Sequence, residues 1–104
     1  MTKRVWRVAV AGHSMEPALR EGDWLFVLPA RRPRGGDVVV VRDPRDRERF
    51  LVKRVRSVEG ASCVIEGDHD GHSTDSREFG PVPLASVVGR AAFRYAPLGR
   101  IGRV

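Results

Sequence analysis

Lysine is scarce in this chain. Of its 19 basic residues, 17 are arginine and two are lysine, Lys3 and Lys53. There is one cysteine, Cys63, which excludes an internal disulfide and fits a reducing compartment. Aromatic residues make up 7% of the chain, few for a surface that stacks bases. The longest apolar runs are "DVVVV" and "WLFVLPA", far short of the roughly 20 residues that span a bilayer. The start, "MTKRVWRVAVAGHS", is basic but has no continuous apolar stretch of the secretory type. No internal repeat and no low-complexity segment occurs. These absences predict a soluble or peripheral chain, cytoplasmic or membrane-associated.

What is present is positive charge, +6 net over 104 residues. Such a balance suits nucleic acid or an anionic membrane surface. The arginines are scattered, however, and no aromatic-basic motif accompanies them, so most read as ordinary surface cations. A basic nucleic-acid-binding module without catalysis remains the alternative of another class. Trp6, Trp24 and Phe26 sit in apolar strand contexts, and Trp24, Leu25 and Phe26 are expected in the core rather than on an exposed, membrane-touching rim.

The length predicts a single domain, residues 1–104, with one modest core. Gly and Pro recur at short intervals between Val/Leu/Ile/Phe runs, which predicts a mostly β fold with little helix. Strands are expected at residues 5–11, at "WLFVLP", "DVVVVRD", "FLVKRVRSV" and "CVIEG", and through "LASVVGRAAFRYAP". Four consecutive valines suit a strand covered on both faces. "MEPALREGD" has room for one helical turn, with Pro17 near its start and Gly22 past its end. "PRDRER" reads as a charged turn, and residues 67–83 as one long polar loop. A loop of that length in so small a domain is commonly functional.

Two residues raise a chemical possibility. On a strand, Lys53 shares a face with Leu51 and Val55. If that face is the core, desolvation lowers the ammonium pKa. A neutral lysine is then a general base, a role closed to arginine. The plainer reading is a lysine whose stem lies along an edge strand with its head in water. Ser14, in "GHSMEP", stands between Gly12, which permits a tight turn, and Pro17, which stiffens the chain. It suits a nucleophile held at a cleft beside backbone N–H groups, or simply a helix N-cap. The loop "DHDGHSTD" also offers Asp68, Asp70, His69, His72 and Asp75 to a metal. A calcium loop starting at Asp68 needs Gly sixth and Glu twelfth, where Ser73 and Phe79 stand. A zinc or nickel site lacks a cysteine pair or a third histidine. No metal or cofactor is therefore assigned.

"GHSMEPALREGD", "RGGDVVVVRDP", "LVKRV" and "GDHDGHSTDSREFGPVP" follow one another in this order. Together they resemble the four catalytic-core segments of the type I signal peptidases and their relatives, the Ser–Lys dyad peptidases, over about Val8 to Val88. The resemblance implies a coiled β-sheet or partly open β-barrel core. It implies Ser14 as nucleophile and Lys53 as general base. Ser73 falls on a serine that orients the lysine amine, and Asp75 and Arg77 on a supporting ion pair. Met15 and Pro17 fall on structural positions of the nucleophile turn. Gly12 stands where some members carry a serine that helps bind the oxyanion, which implies reliance on backbone N–H groups, chiefly that of Ser14. The implied substrate is a precursor protein bound as an extended strand, with small residues before the cut and pocket walls from "GHSM", "WLF" and the Lys53 strand.

The short link from Lys53 to Gly67 leaves no room for the extra β domain of larger members. With no anchor visible, the chain is similar to the nickel-type superoxide dismutase maturation proteases. The expected reaction is removal of an N-terminal pro- or signal sequence. A nickel-type dismutase precursor is the favoured substrate, and exported preproteins are the alternative. A self-cleaving repressor uses the same chemistry, but its DNA-binding domain and an Ala-Gly cleavage site upstream of Ser14 are missing.

Overall fold

The computed structural model describes residues 6–29, 32–69 and 74–104. Their strands are β1 (Trp6–Ala9), β2 (Trp24–Leu28), β3 (Val38–Asp43), β4 (Asp46–Glu59), β5 (Ser62–Glu66), β6 (Val82–Pro83), β7 (Val87–Ala96) and β8 (Gly102–Arg103). One short α-helix, α1 (Ser76–Phe79), lies between β5 and β6. The strands form one antiparallel sheet in the order β1-β2-β7-β3-β4-β5-β6, with β8 added to β7. The sheet is not closed into a barrel. The fold is thus mostly β with a coiled sheet.

β3 is the axis of the packing. Val38, Val39, Val40 and Val41 are all buried, although side chains of a strand alternate between faces. Val39 and Val41 pack with Val55, Cys63, Ile65, Val82 and Val87. Val38 packs with Val10, Met15, Leu19, Leu25 and Ala91 in a second cluster. A strand covered on both sides in this way has no polar face to show, hence the unbroken valine run. Each fully buried Val or Leu contributes about 1.5–3 kcal/mol from apolar burial. On β4, Leu51, Lys53 and Val55 are buried while Val52 and Arg54 are only partly so. The Lys53 face is therefore the core face.

Several local expectations are revised. Among the described residues the first strand is Trp6–Ala9, which stops short of the expected end at residue 11. The charged segment is not a turn throughout: Pro44 and Arg45 turn, and Asp46 already opens β4. Its carboxylate neighbour Asp43, buried, accepts from the Arg45 N–H at 2.8 Å and from the Arg45 guanidinium at 3.1 Å. Residues 46–50 are exposed, so no apolar alternation marks them as strand. Residues 15–22 hold the one helical turn expected, closed by Leu19 N–H to Met15 O at 2.9 Å, and do not continue it as a helix. The long loop contains α1, whose N-cap is Asp75, and ends in β6. Leu25 is in the core, but Trp24 is 41% exposed and Phe26, partly buried, stacks on Tyr95 at 4.3 Å. Core packing thus holds for one of the three residues 24–26.

Candidate active site

The turn that carries Ser14 follows β1 directly. Val10 N–H donates to Asp23 O, and Gly22 N–H to Val10 O, at 2.8 and 2.9 Å. These bonds close residues 11–21 into a loop with a pinched neck. Met15, 1% exposed, and Leu19 plug the loop into the second core cluster. Burying Met15 fixes the depth of its neighbour Ser14, which stays partly accessible. Pro17 is exposed, on the outside of the turn. Gly12 has φ +77°, a conformation that an L side chain resists. Its N–H donates to Glu21 Oε2 at 2.8 Å.

Asp23 locks the neck. It is 1% exposed. It accepts from Arg20 N–H at 2.9 Å and pairs with Arg94 and Arg100 at 3.3 and 3.2 Å. Burial pushes its carboxyl pKa up, but hydrogen bonds from Arg100 and Arg20 and the charges of Arg100 and Arg94 outweigh this and hold it below the usual value. Arg94 also donates to Ala18 O at 2.9 Å, so β7 grips the turn twice.

Lys53 sits in the middle of β4, opposite Val39 of β3. It is 4% exposed. Burial pulls its ammonium pKa below the ordinary lysine value. The Asp75 carboxylate opposes that shift, and Arg77, Arg45 and Arg49 reinforce it.

Asp75 is 0% exposed and accepts from several donors. Gly67 N–H binds it at 2.8 Å and Arg77 N–H at 3.0 Å. The Arg77 guanidinium binds both its oxygens, at 3.1 and 2.7 Å. Arg77 also reaches Gly67 O at 3.3 Å. The pair thus ties the start of the loop to the start of α1. Beside it, Arg54 grips Asp68 through two bonds of 2.8 Å. His69 N–H donates to Ser14 O at 2.8 Å, joining the loop to the Ser14 turn. Ser73, Asp70 and His72 lie outside the described residues. Among the described residues, no group of three or more His, Cys, Asp or Glu is placed to hold a metal.

These elements enclose a cavity of about 500 Å³. Val8 to Met15 make one wall, Arg45 and Arg49 to Lys53 the other, and Thr74 an end. Ser14 and Lys53 therefore line the same space. In the sheet, β1 and β4 are separated by β2, β7 and β3, so the coil of the sheet is what brings these walls together. "GHSM" and the Lys53 strand supply walls, whereas residues 24–26 do not.

The profile described as "Signal peptidase, peptidase S26" matches residues 3–68 and 56–96. The chain belongs to the signal peptidase family S26. The human mitochondrial inner membrane protease subunit 1 is 30% identical over 119 residues, covering 91% of this chain and 72% of the relative. The Arabidopsis thaliana mitochondrial ATP-independent inner membrane protease subunit 1a is 37% identical, over 85% of this chain and 68% of the relative. Subunit 2 of the Schizosaccharomyces pombe inner membrane protease is 36% identical, over 91% and 67%. Membership of S26 makes this a signal-peptidase-type peptidase, a hydrolase of peptide bonds. No helix among its described residues is long and apolar enough to cross a membrane.

Sequence reading missed what four residues contribute to this site. The Glu21 side chain and the His69 backbone N–H hold the Ser14 turn, Asp23 locks its neck, and Arg49 enters the cavity wall. Only Asp23 carried a signal, as an aspartate directly after a turn glycine.

Proposed function

We propose that the chain, as a single catalytic domain over residues 1–104, is a serine endopeptidase that removes an N-terminal pro- or signal sequence from a precursor with a Ser14–Lys53 dyad. The observation that carries the reading is a buried lysine, its pKa lowered, lining the same cavity as a serine held on a core-anchored turn. Ser14 Oγ attacks the scissile carbonyl carbon and its proton passes to neutral Lys53 Nζ. In the reactive complex the two atoms come within about 2.6–3.2 Å. The oxyanion is met by backbone N–H groups, chiefly that of Ser14, since Glu21 engages the Gly12 N–H. Protonated Lys53 then passes its proton to the departing amine, leaving an acyl-enzyme. Water, deprotonated by Lys53, releases the acyl group and restores Ser14. Ser73 orients the amine, and the Asp75–Arg77 pair shapes the floor. No cofactor takes part.

The precursor lies extended along the cavity. One candidate is a nickel-type superoxide dismutase precursor. The membrane-protease relatives favour a second, the signal sequence of an exported protein, met at a membrane surface. The test is incubation of the purified protein with each precursor, followed by N-terminal sequencing of the products. The reading predicts one defined new N-terminus, and none with Ser14→Ala. Equal cleavage by Ser14→Ala would overturn it.

A further inference from the structure

We propose that the cavity selects precursors carrying an acidic side chain within a few residues of the scissile bond, and that Arg49 reads it. This rests on the peptidase reading above and specifies its substrate. The cavity lining includes His13, Arg45, Arg49 and Lys53, and, among the described residues, no Asp or Glu. The four cations are not equivalent. Lys53 is buried, and Arg45 is engaged by Asp43 at 3.1 Å. His13 pairs with Glu16. Arg49 is exposed and forms no ion pair among the described residues. Its field nevertheless reaches the site, since its charge helps lower the pKa of both Lys53 and Asp43.

The backbone delivers Arg49 to this place. The β3–β4 register jumps from Arg42↔Phe50 to Asp43↔Asp46, so residues 47–49 have no partners and bulge. Such bulges re-aim side chains beside active sites. Arg42 braces the bulge: its guanidinium lies 4.9 Å from the Phe50 ring centroid and donates to Arg47 O. Arg49 precedes Lys53 by four positions on β4, at most about 13 Å of extended strand. A peptide bound alongside at the same rise meets its guanidinium within about four residues of the bond that Ser14 attacks. A carboxylate there gains a counter-ion; an ammonium meets an excess of positive charge.

The experiment uses peptides with an Ala-x-Ala cleavage sequence and one Glu walked through each position from four before to four after the cut. Gln at the same position is the uncharged match. The readout is the Glu/Gln ratio of kcat/KM, taken within each enzyme variant. One position is expected to favour Glu by about 1.5- to fivefold at low salt, the range of an exposed ion pair. The ratio should approach one in about 0.5 M salt, where screening acts within a few ångströms. Arg49→Gln should abolish it, Arg49→Glu should favour Lys at that position, and Arg103→Gln, outside the cavity, should leave it. Ratios near one at all positions, or a preference that survives Arg49→Gln, would overturn the inference. If Gln peptides are cut by the parent and not by Ser14→Ala, the peptidase reading stands in either case. If no peptide is cut, that reading and this inference fall together.

Discussion

At the scale of single residues, Lys53 shows why a site costs stability. The residue is buried, at 4% exposure, and burial lowers its pKa. The unfolded chain then binds a proton more tightly than the folded chain. Between the depressed folded value and the ordinary lysine value of about 10.4, folding stability therefore rises with pH. Lys53→Met removes that penalty. It is expected to melt above the parent at pH 7, and the gap should narrow as pH rises through this window. Thermal melts across pH measure it, and a gap independent of pH would contradict the burial account. Lys53 was legible in the sequence because it breaks an arginine habit inside an alternating apolar strand. Asp75 and Arg77 were legible only through the motif that contains them. The contacts of Glu21 and of His69, which the sequence offered only as a metal ligand, were not, because each holds a backbone atom of the Ser14 turn by a bond that no spacing rule announces. Arg49 was hidden by the bulge that aims it.

At the scale of elements, the sheet must coil tightly, and Gly89 permits it. It sits on β7 opposite Val40. A Cβ there would stand 2.5 Å from Val27 Cγ1, 2.8 Å from Leu28 O and 3.0 Å from the Trp6 ring. Backbone and a buried valine cannot step aside as a flexible surface side chain does. Gly89→Ala is expected to destabilise the protein by about 1–3 kcal/mol, as overpacking does, and to lower peptidase activity through displacement of β1. Urea unfolding beside an activity assay checks both, and unchanged stability would contradict the close approach. The core strands were readable from valine runs and period-two alternation. The ends of elements were not. Residues 46–49 are polar because all four are exposed, which looks like a turn in sequence but is strand in space. The short helix α1 rests on an Asp75 cap and a Ser76 side chain that accepts from Ile65 N–H at 2.9 Å, a tertiary contact outside local pattern.

At the scale of the whole molecule, the site is a product of the curl. Ser14 follows the edge strand β1, and Lys53 lies on β4, with three strands between them in the hydrogen-bonded order. Two core clusters, one on each side of β3, hold the curvature that turns these distant strands into facing cavity walls. Sequence pattern predicted both strands and the mostly β class, and the motif order predicted the family. The topology that joins them depends on β7, from the far end of the chain, inserting between β2 and β3. The central claim is that this cavity works by removing a proton from Ser14 through a lysine. The most direct measurement is precursor cleavage by Lys53→Arg, with circular dichroism and a thermal melt to verify its fold. Arginine keeps positive charge at the position but does not give up its proton near neutral pH. The account predicts a folded protein with no detectable cleavage from pH 7 to about 10, below the ordinary lysine value. A folded Lys53→Arg enzyme that cuts the precursor at the parent's site and rate would contradict it.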